Sequence, residues 1–230
     1  MMDFGNIAFT VSVWAIPVLV AVTFHEASHG WVAWRLGDDT AYVLGRVTFN
    51  PFRHIDPFGT VLLPALLLLA SGGRMMFGFA RPVPVNFSRL RRPRRDMVLV
   101  AIAGPGSNLM LAFLSAGLMH ALPLLSGDVY QWVGHNLFNS VRINLLLCVF
   151  NMLPIPPLDG GRVAVGVLPA ALSRPLARLE RAGILIILAG IFILPWIGEK
   201  LGVDLDLFWW LVGLPTEYLL KVVLAITGLG

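Results

Sequence analysis

Charge is scarce in this chain. Asp, Glu, Lys and Arg make up 13% of its 230 residues, about half the share of a water-soluble domain. With 57% hydrophobic residues, the mean hydropathy reaches +0.79. That balance excludes an ordinary soluble globular protein. Cysteine is rarer still: Cys148 stands alone in an apolar run. An intrachain disulfide is therefore excluded, and a buried, inert thiol is expected. No polar stretch is long enough for a soluble regulatory domain, and neither repeats nor low-complexity tracts occur. The amino terminus lacks the Lys/Arg-rich start of a signal peptide, so its apolar stretch is expected to be a retained helix. The net charge of +4 does not point to nucleic acid, because the basic residues flank apolar segments, as membrane orientation requires.

What the chain has in abundance is apolar runs. Five of them, at Ile7–Leu36, Met97–Leu122, Leu137–Leu153, Ala182–Ile197 and Leu207–Thr227, approach the roughly 20 residues needed to cross a bilayer. A sixth, Val61–Ala70, is shorter and interrupted by Pro64, which suits a re-entrant piece better than a crossing. Residues 58–71 thus either cross or re-enter. If they do not cross, 14 of the 17 basic residues fall on one side, among them Arg46, Arg53 and the Arg89–Arg95 cluster. Asp128, Glu199, Asp204 and Asp206 fall opposite. The basic side is then cytoplasmic and the amino terminus outside. Tyr42–Phe49 and Met75–Val85 have β-branched and aromatic residues between Gly and Pro breaks and are expected to form short strands.

The expected fold is an all-α polytopic membrane protein with five or six transmembrane helices, a re-entrant element and short cytoplasmic β-strands. It forms a single membrane-embedded domain over residues 1–230, with a catalytic core at about 7–173 and C-terminal helices at about 180–230.

At the end of the first run stands His25-Glu26-Ala27-Ser28-His29. On a helix the two histidines lie one turn apart on one face, the spacing that holds a zinc ion from two directions. Glu26 is beside them, placed to take a proton from the attacking water. Such groups are costly in hydrocarbon and mark a functional site. Catalytic zinc needs a third protein ligand. Among the carboxylates, Asp159 fits: it follows three prolines at the cytoplasmic end of an apolar helix and precedes Gly160-Gly161. The prolines stop the helix and the glycines permit close backbone approach. One Zn2+ held by His25, His29 and Asp159, with Glu26 as base, is a hydrolytic centre. A metal transporter or non-hydrolytic metal-binding scaffold explains the ligands too, but gives Glu26 no particular role.

HEASHG at 25–30, AGPGSN at 103–108 and NMLPIPPLDGG at 151–161, in that order, resemble the site-2 protease family of intramembrane zinc metalloproteases. GRVTFNPFRHIDPFG and FARPVPVNF look like its compact bacterial branch, without a PDZ insertion. The resemblance covers about Phe24 to Arg162; the last third is matched only by hydrophobicity. It implies a bacterial cytoplasmic membrane, cleavage of single-span membrane protein substrates near the cytoplasmic face, and the same four site residues. Neither the oligomeric state nor the natural substrate is written in the chain.

Three further residues are candidates for substrate binding. By resemblance, Asn151 would hydrogen-bond substrate backbone or the developing oxyanion; helix capping or an interhelical bond is the alternative. Asn108 is either an active-site contact or part of the helix packing around Gly104-Pro105-Gly106. His54 is either a gate over the site or a solvated loop histidine. Since a helix hides its carbonyls, the substrate is expected to unwind and add as a strand to one of the two strand segments.

Overall fold

The computed structural model describes residues 4–63, 66, 78 and 80–230. Its helices are α1 (Phe4–Arg35), α2 (Thr40–Val43), α3 (Pro93–Met119), α4 (Gly127–Asn151), α5 (Asp159–Val167), α6 (Ala170–Arg178), α7 (Glu180–Leu201) and α8 (Trp209–Ile226). Among the described residues, four helices are long and apolar enough to cross a membrane, namely Ala8–Arg35 within α1, α3, α7 and α8. The expected five or six are not reached. Helix α4, at 25 residues, has the length, but Asn136, Asn139, Arg142 and Asn144 dilute its apolar character.

Cross-helix contacts give the helix directions. His29 meets Val100 and His25 meets Asn108, so α1 and α3 are antiparallel. Asn108 meets Asn144 and Ser115 meets Ser140, so α3 and α4 are antiparallel as well. Trp132 reaches Ser12 and Asn139 reaches Val13, so α4 runs parallel to α1. Ala112, Ala116, Val141, Leu145, Leu220 and Val223 form a dry core between α3, α4 and α8. Small residues at this seam let the helices approach closely where lipid supplies no hydrophobic drive.

Beyond α1 the chain doubles back. Gly37 adopts a left-handed φ of 114°, a conformation that glycine takes at least cost. Asp38 is fully buried. Its carboxylate accepts from the Thr40 hydroxyl and N–H and, at 2.6 Å, from the Asn86 N–H. The segment after α2 then runs back along α1. Val47 and Val83 pack against Gly30, and the Phe49 ring lies 4.6 Å from that of Phe24. Asp56 caps the turn Pro57–Leu62 by accepting from Phe58 and Gly59 N–H.

The expected strand at Tyr42–Phe49 is not there: its first two residues end α2, and the rest is turn and bend. No strand occurs among the described residues. The aromatic and β-branched side chains serve contacts with α1 instead. Tyr42 stacks on Trp34 at 4.5 Å with an interplanar angle of 4°. Of Met75–Val85, residues 75–77 and 79 lie outside the described residues, as does half of 58–71; residues 80–86 lack regular structure and have no partner strand.

Candidate metal centre

His25 and His29 project from one face of α1, with ring centroids 4.7 Å apart. Helix α4 ends at Asn151, the prolines turn the chain, and α5 begins at Asp159. Gly160 and Gly161 sit so close to the Met152–Pro156 backbone that a Cβ on either would collide with it. The two glycines therefore fold α5 back onto the proline turn and deliver Asp159 to α1. Asp159 Oδ2 stands 3.2 Å from His25 Nε2 and 3.2 Å from His29 Nε2, and the two nitrogens are 3.1 Å apart. All three residues are buried.

The neighbours define which ring nitrogens carry protons. Asn108 donates through Nδ2 to the Ala21 carbonyl at 3.2 Å, an atom that can only accept, and to Asn144 Oδ1 at 2.8 Å. Its Oδ1 therefore faces His25, where Nδ1 donates to it at 2.6 Å. His29 Nδ1 donates to the Val100 carbonyl at 2.7 Å. With both Nδ1 atoms protonated, the neutral rings turn lone pairs on Nε2 toward the Asp159 carboxylate. Three electron-rich atoms converge in the interior, and Asp159 Oδ2 has no well-directed hydrogen bond. A metal ion bound between the three atoms relieves that arrangement.

A tetrahedral zinc ion with bonds near 2.1 Å separates its donors by about 3.4 Å, close to the observed triangle. Two imidazoles and one carboxylate are the donor set such an ion takes in hydrolases, and oriented Nδ1–H groups are its usual support. The residues fit zinc.

Gly104 of α3 lies against both rings. A Cβ there would stand 2.6 Å from His25 Cε1 and collide with the His29 ring, whereas Gly106 faces open space. Close approach of α3, expected from the glycines, is thus realised at Gly104 and serves the histidines directly.

Glu26, on the adjacent face of α1, accepts the Val83 N–H on Oε2 at 2.7 Å. That leaves Oε1 for other chemistry. Asn108 is in the site, but behind His25, its three hydrogen bonds all taken within the protein. Asn151 donates to the Leu147 carbonyl of its own helix at 2.9 Å, which is neither the capping nor the interhelical bond that was the alternative to substrate contact. His54 is neither solvated nor at the metal triad. It is buried, with Nε2 donating to Thr48 O at 2.9 Å, and it lines an apolar cavity of about 390 Å³ between α1 and α4. Sequence reasoning missed Asn144 and Val83. An asparagine inside an apolar run was the available signal for Asn144; nothing local marks a backbone N–H.

A family model described as Peptidase family M50 matches residues 119–195, a stretch that contains Asp159. The chain is 41% identical over 185 residues to the Bacillus subtilis protein named "Putative zinc metalloprotease YwhC", covering 78% of this chain and 80% of that one. It is 34% identical over 179 residues to a Mycobacterium tuberculosis H37Rv protein named in the same way, Rip2, covering 77% and 65%. A Methanocaldococcus jannaschii protein of the same description, MJ0611, is 32% identical over 161 residues, covering 70% and 72%. No solved structure matches the chain.

Proposed function

The chain belongs to Peptidase family M50, the site-2 protease family, and from that premise we propose that it hydrolyses peptide bonds of single-span membrane proteins near the cytoplasmic face. Members of this family are metalloproteases with zinc as cofactor, and the four apolar helices make this one an integral membrane protein. The reading places it in a bacterial cytoplasmic membrane, with α4 as a further crossing beside α1 and α3 and the catalytic side inward.

The observation that carries the reading is the convergence of His25 Nε2, His29 Nε2 and Asp159 Oδ2 within 3.2 Å of one another, with Glu26 next to His25 in α1 and hydrogen-bonded through only one of its oxygens. His25, His29 and Asp159 would hold the ion. When bound, zinc polarises the scissile carbonyl and makes water a nucleophile at neutral pH. Every other task falls to side chains. Asn108 and the Val100 carbonyl keep both imidazoles in the ligand tautomer. Glu26 Oε1 takes the proton of the attacking water and returns it to the leaving amine, while the Val83 N–H holds the other oxygen still. The helix-packed walls at Gly104 keep bulk water from the α3 side. An unwound stretch of substrate reaches the site along the segment at 80–85, which carries the Val83 N–H to Glu26.

The test uses purified protein and a tethered single-span reporter. Glu26→Gln should retain zinc and lose cleavage, whereas Asp159→Ala should lose both. Full cleavage by either variant ends the proposal.

A further inference from the structure

Beside the segment at 80–85 lies a cleft of about 620 Å³ lined by Leu44, Arg46, Phe52, Arg53, Ile55, Arg81, Pro82 and Pro84. Three arginines line one space, and among the described residues no carboxylate lines it. Among the described residues none of the three arginines is in an ion pair. Arg46 is only 8% exposed. One end of its guanidinium donates to the Arg81 carbonyl at 2.7 Å, yet its Nε is buried without a partner. Burial lowers the Arg46 pKa from its ordinary value, Arg81 and Arg53 lower it further, and Glu26 opposes them. A buried, underused guanidinium with two like charges beside it is costly unless an anion joins it.

We propose that this cleft binds an acidic side chain of the substrate, two to five residues from the scissile bond. The inference rests on the proteolytic reading above and adds a substrate preference to it. Arg81 is two residues from Val83, whose N–H is on Glu26, so the cleft wall lies within about 7 Å of chain from the catalytic carboxylate. With the reach of an arginine side chain added, an extended substrate spans the gap in about three residues. A lipid headgroup fits less well. Glu26 is nine residues before the end of α1 at Arg35, about 13 Å along the helix axis. Val83 packs on Gly30, still inside that helix. The cleft therefore opens beside the reaction site instead of at the level of the helix end. Its position also gives the anion a consequence: Arg46 holds the carbonyl of Arg81, so charge bound there steadies the segment that holds Glu26.

The experiment is a reporter series in vesicles, with Glu, Gln or Lys placed singly at each position within six residues of the cleavage site. Competition between reporters gives relative kcat/KM, with Glu26→Gln protein as the blank. In the unaltered enzyme Glu should be preferred over Gln by about tenfold at one or two positions, and the preference should shrink with added salt. Arg53→Glu/Arg81→Glu should invert it toward Lys, while Arg53→Lys/Arg81→Lys should keep Glu preferred. Because ratios are read, partial loss of folded protein does not alter them, and the scan with unaltered enzyme decides the matter even if a variant fails to fold. Glu26-dependent cleavage with no acidic preference at any position overturns the cleft proposal alone. Absence of any Glu26-dependent cleavage overturns the proteolytic reading with it. Rates that follow the anionic lipid content of the vesicles, with no effect of the scanned residue, assign the cleft to headgroups and overturn the peptide proposal.

Discussion

The amide of Asn139 donates to the carbonyl of Val13 at 2.9 Å, and Val13 is the residue whose helical donor Pro17 removes. Proline has no N–H, so the carbonyl four residues before it is left open. In lipid no water can fill that vacancy. One turn of α1 is thus completed by a side chain from α4. Asn139→Ala, which removes the donor, should destabilise the fold by about 1–2 kcal/mol. Reversible unfolding in mixed micelles measures this, and an unchanged midpoint refutes it.

Asn108 orders His25 without touching the metal ligand atom. Asn108→Ala should weaken zinc about 10- to 100-fold, the effect of losing such support elsewhere. Asn144→Ala, one bond further out, should act in the same direction and less. Competition against a chelator reads both affinities. Equal affinity in the Asn108 variant would show that the tautomer needs no such partner.

Gly104 and Gly106 make a matched pair for testing close approach. Gly104→Ala should abolish tight zinc binding, since the new methyl falls on both imidazoles, whereas Gly106→Ala meets nothing within 4 Å and should bind normally. Zinc content after dialysis separates them; indistinguishable contents would mean that α3 gives way.

Val83 contributes its backbone to Glu26. Val83→Pro removes the donor and should lower kcat about 10- to 100-fold with zinc retained, the worth of a hydrogen bond to a charged group. Val83→Ala keeps the N–H and should stay near normal. Reporter cleavage at saturating substrate makes the comparison, and equal rates for the two variants would remove the bond from the mechanism.

The triad was legible because its chemistry is written in side-chain types: two histidines at helical spacing and one acid after a proline-broken helix. The helices were legible from long apolar runs, except that α4 is less apolar than a lipid-facing span. Asn139 and Asn144 face α1 and α3, where a carbonyl and another amide engage them, and single-chain hydropathy does not see such partners. The loop at Tyr42–Phe49 misled for a related reason. Its Val, Thr and Phe side chains resemble those of a strand, but Val47 and Phe49 are there to fill the surface of α1 at Gly30 and Phe24. Burial of Asp38 and Arg46 depends on segments some 35 to 50 residues away, beyond any local pattern.

Gly183 of α7 lies directly against the Pro156 backbone, with Pro157 Cδ 2.7 Å from where its Cβ would be. The least recognisable third of the sequence therefore leans on the turn that presents Asp159. Tilting α7 would be felt at the carboxylate as a change of aim, with no contact between them. A bilayer thin or thick enough to tilt α7 would thereby bear on the turn that carries Asp159.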